Sequence, residues 1–572
     1  MNAKGKKISI ITSILFFTLF LLIPGETSIL YPEDQSQVQE GSVNAGSLIY
    51  SSFFGGIGND HGLCIAQDNQ GNIILAGLTY SSDFPTTETA YDQTHNGESD
   101  VFISKWSSDR TELIFSTVLG GSDDDNCIGT TGVSYHSLDI AVDSANNIVI
   151  YGTTTSDDFP VTPGALNETY NGNQDLFLTK LAENGSTLMF STYFGGNDFD
   201  FNNLGNNRLV LDNEDNIYVT GNTESPDFPL TPNAINNTIQ TREAFISKIS
   251  PDGSSVLYST FLGGSGKEYS MGVALDSEKN IIVGGTTLSS DFPITATAFD
   301  KTYSNANLYI TKIAADGSTL IYSTFVGGTE WEQLTGMIVD ANDDLYFTGT
   351  TASSNFPTTS NSFRENFQGN YDLFVGKLAK NGSILLASSF LGGTNKDLAS
   401  GITLSVEGDP YIVGYTKSSN FPTTANAHDK EMNGLTDYIL AALNPELTEL
   451  TYSTYLGGSD NDDFGVLGEA DGHDAGEVIA LTSKTMLMVG STQSSDFPVT
   501  PNALNTTWNG ASDVFIAQLN YTYIPSTTTT TTTTTTITTT PTTTTSATSF
   551  PASIIICLGL GTIIHLRKKR GR

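Results

Sequence analysis

Carboxylates are the residues of this chain best suited to chemistry, and they gather in two Gly-rich stretches. Residues 121–136 hold Asp123, Asp124 and Asp125, followed by Cys127. Residues 458–477 hold Asp460, Asp462, Asp463, Glu469, Asp471, Asp474 and Glu477. Clustered carboxylates in such loops suit Ca²⁺, which takes about six to eight oxygen ligands. The candidate metal set is therefore Asp460, Asp462, Asp463, Asp471, Asp474, Asp123, Asp124 and Asp125, with Ca²⁺ as the implied cofactor. Residues 471–477 (DGHDAGE) lack the full EF-hand spacing. Shorter loops of the same set carry Asp60, Asp198, Asp200, Glu268, Glu330, Glu332 and Asp397. For all of these acids the plainer reading is a solvated loop.

Catalytic signatures are absent. The histidines are His61, His95, His136, His428, His473 and His565, and none forms HExxH or another metal-ligand spacing. There is no GxSxG elbow and no phosphate-cradling loop. Trp331 and Trp508 fall in loops, where each would stack on a sugar or cover a sheet edge. Cys64, Cys127 and Cys557 contain no CxxC pair, and a bridge between Cys64 and Cys127 stays open.

The elements that must position these loops come from an internal repeat. A Phe-Pro pair after a Ser- and Asp-rich lead occurs at Phe84-Pro85, Phe159-Pro160, Phe228-Pro229, Phe292-Pro293, Phe356-Pro357, Phe421-Pro422 and Phe497-Pro498. The spacings are 75, 69, 64, 64, 65 and 76 residues. A second phrase of the form YSTFLGG also occurs seven times, with paired glycines from Gly55-Gly56 to Gly457-Gly458. The Phe recurring in every copy reads as a packing anchor, with Pro fixing the chain direction.

Each repeat holds four short strand candidates. In the fourth they are residues 271–276 (MGVALD), 281–286 (IIVGGT), 308–313 (LYITKI) and 320–326 (LIYSTFV). Asp316-Gly317 marks the last hairpin. Four antiparallel strands repeated radially describe a propeller blade. Blades pack on both faces, which explains near-continuous apolar strands. The expected fold is an all-β, seven-bladed propeller. Residues 48–54 form a fourth strand with no first strand before it, and the last repeat ends on its third strand, 513–520. Pairing the two closes the ring and removes its free edges.

The phrases Tyr258–Gly264 (YSTFLGG), Gly272–Asp276 (GVALD), Ile281–Thr287 (IIVGGTT) and Asp291-Phe292-Pro293 resemble the repeats of SBBP-type β-propeller proteins of bacteria and archaea. The resemblance covers roughly 47–523. It implies a surface or secreted propeller, with no shared reaction and no shared catalytic residues. One stretch departs from the pattern: Ala387 replaces the aromatic of YST, and 438–442 (YILAA) lacks the usual Lys.

The ends predict export and tethering. Residues 1–27 read as a signal peptide, 28–46 as a linker and 47–523 as the propeller. Residues 524–549 form a Thr- and Ser-rich stalk, 550–566 an apolar membrane segment and 567–572 a basic cytoplasmic tail. Sequons at Asn167, Asn184, Asn236, Asn381, Asn505 and Asn520 fit a glycoprotein. The formal net charge of -37 repels nucleic acid. The expected role is a non-catalytic binding or adhesion module at the cell surface, with an extracellular glycan or protein as partner and the membrane reached through the C-terminal anchor. The alternatives are a carbohydrate-active enzyme using acids on the same face, and a structural coat component.

Overall fold

In the fourth repeat the apolar runs pair as antiparallel neighbours: Glu268–Leu275, Ile281–Thr287, Asn307–Ile313 and Leu320–Val326. The second and third strands are buried along their whole length. Both faces of the sheet therefore lie against other protein, and alternation of polar with apolar residues is not needed. Gly317 closes the last hairpin at a φ of 74°, and any side chain there would meet the Tyr258 ring of the preceding blade.

The computed structural model describes residues 46–520 except 126, 129–134, 137, 203–207, 463–476 and 483–484, with backbone alone at 127–128, 135–136 and 480–482. Seven sheets of this kind follow one another. Blade one is Asp60–Gln67, Ile73–Thr79, Asp100–Trp106 and Leu113–Leu119. Blades two and three begin at Asp139 and Asp200, blade four at Glu268, blade five at Glu332 and blade six at Asp397. The first strand of blade three is split into Asp200–Phe201 and Leu209–Leu211. Blade seven takes Val478–Thr482, Thr485–Thr492 and Asp513–Asn520, and its fourth strand is Ser47–Phe54 from the other end of the ring. The expected closure is present, one residue longer than the sequence suggested.

First strands of successive blades touch all the way round and form the inner ring. Apolar clusters fill the seams between blades, such as Tyr218, Ile246, Val273, Val283 and Tyr309 between blades three and four. The recurring Phe is buried at every copy. Phe159 stacks on Phe177 at 4.5 Å and Phe356 on Phe374 at 4.4 Å. Its role as a packing anchor holds.

Residues 1–27, the linker up to 45, and the segments 524–549, 550–566 and 567–572 lie outside the described residues. Among the described residues no helix is long and apolar enough to cross a membrane.

Candidate functional site

Two loop sets meet on one face. One runs from the fourth strand of a blade to the first strand of the next. The other joins second to third strands and carries Phe-Pro. The residue before Phe accepts the backbone N–H that follows the paired glycines. Asp83 takes Ile57 at 2.9 Å, Asp291 takes Ser265 at 2.9 Å, and Asn420 takes Thr394 at 2.9 Å. These contacts repeat around the ring and fix the face.

Beneath it lies a second repeated feature. The acid four residues after the second glycine of each pair accepts hydroxyl donors from the end of the second strand, and in the blades named next the N–H of that glycine as well. Asp200 takes Gly196 at 2.6 Å and Ser225 at 2.7 Å. Asp125 takes Gly121 at 2.6 Å, Thr154 at 2.5 Å and Ser156 at 3.3 Å. Asp462 takes Gly458 at 2.5 Å, Thr492 at 2.5 Å and Ser494 at 3.0 Å. Asp60, Glu268, Glu332 and Asp397 occupy the same place, and all seven are buried. The reading of these acids as solvated loop residues is corrected. They are seam locks, buried because the loop packs down onto the next blade.

The candidate metal set is thus divided. Asp125 and Asp462 are buried in locks, whereas Asp123 and Asp460 are exposed and Asp124 is half-buried against Ser99. Asp463, Asp471 and Asp474 lie outside the described residues. Among the described residues no group of three or more His, Cys, Asp or Glu side chains is placed to hold a metal. Trp508 packs against the core, and Trp331 meets Tyr371 edge-on at 6.0 Å. Cys64 is a buried free thiol.

The departures from regularity converge elsewhere, on the inner ring. One residue of each first strand pairs with the same place on the second strand. Its occupants are Cys64, Asp139, Arg208, Gly272, Gly336, Gly401 and Glu477. Three consecutive blades have Gly there. The other four, also consecutive round the ring, carry a thiol, two acids and a guanidinium. Lock and inner-ring residues are four positions apart in blades one, four, five and six. From Asp125 to Asp139, Asp200 to Arg208 and Asp462 to Glu477 they are 14, 8 and 15 apart. Each insertion therefore falls between the lock and the inner-ring position and ends on an ionisable residue.

These side chains reach between blades. The Glu477 carboxyl accepts the Ile65 N–H at 2.9 Å. Asp139 accepts the N–H groups of Arg208 at 2.5 Å and Leu209 at 2.9 Å. Tyr151, paired with Asp139, donates its hydroxyl to the Thr220 carbonyl at 3.2 Å. Burial pushes the Asp139 carboxyl up to about 6 against the pull of Arg208 and the N–H donors. Burial, then the charge of Asp139, pushes Glu477 up to about 8. Burial and the same two acids raise the Cys64 thiol well above its usual value, so it stays protonated and is a poor nucleophile. The arc brings two carboxyls whose burial favours protonation together with one guanidinium, a set suited to polar recognition.

Sequence reasoning named Glu477 but missed Asp139, Arg208 and the position of Cys64. The signal was present in the GVALD phrase, whose Gly is replaced in the repeats that begin at Cys64, Asp139 and Arg208.

No family model matches the chain, and no curated protein matches it. Among solved structures, the polysaccharide lyase Uly1 is similar at 8% identity and a TM-score of 0.41, covering 84% of this chain and 100% of that one. The Dos1 propeller is similar at 10% identity and a TM-score of 0.37, covering 83% and 96%. A protein of unknown function from Dyadobacter fermentans is similar at 11% identity and a TM-score of 0.37, covering 83% and 99%. The fold of this chain rests on its own strand pairing.

Proposed function

We propose that this chain is an SBBP-type cell-surface propeller, exported and tethered through residues 550–566, that binds an extracellular glycan or protein ligand without catalysis. Ca²⁺ assists through the expanded acidic stretches, where Asp123 and Asp460 are exposed. One observation carries this reading. Blades two, three and seven depart from the repeat twice, by an insertion and by an ionisable inner-ring residue at its end. A rigid scaffold with variation confined to one arc is how recognition loops are usually mounted.

The test replaces residues 463–476 by three residues, the number between lock and inner-ring positions in regular blades. Asp462 and Glu477 stay, so the seam is preserved. Binding of the exported protein to fractionated envelopes and polysaccharides should fall about tenfold or more, with the melting temperature unchanged. It should also weaken in chelator. Full retention of binding would move the site off this arc.

A further inference from the structure

The locks have a partner that the repeat phrases do not reveal. The first residue of each third strand also points at the seam. Across the first glycine of each pair it faces the lock acid of the next blade. At Gly195 an added Cβ would lie 2.7 Å from Asp200 Oδ2 and 2.9 Å from Asp175 Oδ1. At Gly55 the figures are 2.7 Å to Asp60 and 2.8 Å to Asp513, and at Gly392 they are 2.9 Å to Asp397 and 2.8 Å to Asp372. At Gly263, Glu243 and Glu268 converge in the same way.

The Glu243–Glu268 pair is wholly buried. Glu243 accepts the Gln240 N–H through Oε1 at 3.2 Å. Glu268 accepts the hydroxyls of Thr287 and Ser289 through Oε1. The second oxygen of each, Oε2, has no hydrogen-bond partner, and both lie against the place where a Gly263 side chain would stand. The ionisable groups around the pair are Asp291, Tyr303 and Tyr309. The neighbouring Arg242 is bound to Glu224 at 2.6 and 2.8 Å. Among the described residues no cationic side chain is placed to offset two buried negative charges, and two buried carboxylates that converge on one point do not both ionise readily.

The next seam provides the comparison. There the lock acid is Glu332, and its partner position holds Asn307 rather than an acid. Asn307 Oδ1 accepts the Ser304 N–H at 2.7 Å, which turns the amide nitrogen inward. Asn307 Nδ2 and Glu332 Oε2 lie 3.0 and 2.7 Å from one point beside Gly327. Asn307 turns a neutral N–H donor toward Glu332 there, although Glu332 Oε2 has no hydrogen-bond partner. A bound cation would be repelled by that donor, whereas a proton on the carboxyl would reproduce it.

We propose that Glu243 and Glu268 share a single proton across Gly263, and that Asp60–Asp513, Asp175–Asp200 and Asp372–Asp397 are joined in the same way. In each of these seams one carboxyl of the pair carries the proton, and Asn307 is an uncharged amide at the same place. Burial raises both Glu243 and Glu268 above the ordinary range, with Glu243 pushed up to about 8. A raised carboxyl stabilises the folded ring at low pH, and that contribution is lost as pH rises through the folded value. Arg364 faces the Asp372 and Asp397 carboxylates and should keep that seam the least sensitive to alkali.

The test compares the full-length protein with Glu243→Gln and Asn307→Asp between about pH 5 and about pH 9, with calcium or chelator. Glu243→Gln makes the donor permanent. It should match the parent at the acid end and melt about 2 °C higher at the alkaline end. Asn307→Asp creates a further pair. It should match the parent in acid, melt about 2 °C lower in alkali, and strengthen the infrared band of protonated carboxyls. Should Glu243→Gln fail to fold, Asn307→Asp decides alone. Shifts independent of pH in Asn307→Asp would overturn the proposal. So would a calcium-dependent gain in the parent that vanishes in Glu243→Gln, which would identify the seam as a cation site.

Discussion

A Lys near the end of the third strand, buried in three blades and half-buried in two, meets the Asp that follows the first strand. The pairs are Lys105–Asp68 at 2.8 Å, Lys180–Asp143 at 3.1 Å, Lys248–Asp212 at 3.5 Å, Lys312–Asp276 at 2.5 Å and Lys377–Asp340 at 2.9 Å. Burial alone would raise Asp276, but Lys312 and the Asn280 donors hold it below the ordinary carboxylate range. Blade six has Ser405 and Ala442 at these two places. The absence of Lys noted in 438–442 is thus one half of a paired loss. An isolated buried charge costs more than the pair contributes, so both partners disappear together. Lys312→Ala should destabilise by about 3–5 kcal/mol. The double change Asp276→Ser with Lys312→Ala, copying blade six, should restore most of that. A double-mutant cycle in denaturant measures it, and equal losses in single and double variants would refute the coupling.

At the scale of elements, Ser47–Phe54 does more than any other strand. It pairs with Asp513–Asn520 along its length and brings Phe53 against Phe497 at 6.3 Å. Thr500 accepts the Ser51 N–H at 3.0 Å, and Asn505 donates its N–H to Ser52 at 2.9 Å. Without this strand blade seven presents an open edge and an uncovered apolar face to solvent. Deleting residues 47–54 should therefore give an aggregating chain with no cooperative melt, whereas deleting 28–45 should leave the melt intact. Size-exclusion chromatography and calorimetry separate the outcomes.

Over the whole molecule, two classes of carboxyl pull stability in opposite directions with pH. Asp200 is pushed up to about 7, and Asp175, Asp397 and Asp513 to about 6, in each case first by burial. Their contribution is complete below the unfolded value and is lost as pH rises through about 6 to 7. Asp68, Asp143, Asp212, Asp276 and Asp340 are held low by donors and Lys neighbours that outweigh burial. Their contribution is lost only as pH falls below the ordinary carboxylate range. The melting temperature should peak between about pH 4 and pH 5.5 and decline steadily toward pH 8. A profile that peaks near neutrality would contradict the burial of the seam acids.

The repeat phrases alone determined the blade count, the strand order within each blade, the closure of the ring and the buried Phe anchor. All of these depend on local patterns recurring at fixed spacing, and hydrophobic periodicity is read along the chain. The seam acids were visible as residues but not as buried ones. Glu243 and Glu268 are separated by a hairpin and a loop, and only the packing of blade three on blade four brings them together across Gly263. The same holds for Glu477, Cys64, Asp139 and Arg208, which come from four repeats and meet on one inner ring. Burial and through-space charge belong to the closed ring, so which acids face water and which face each other was decided by tertiary structure alone.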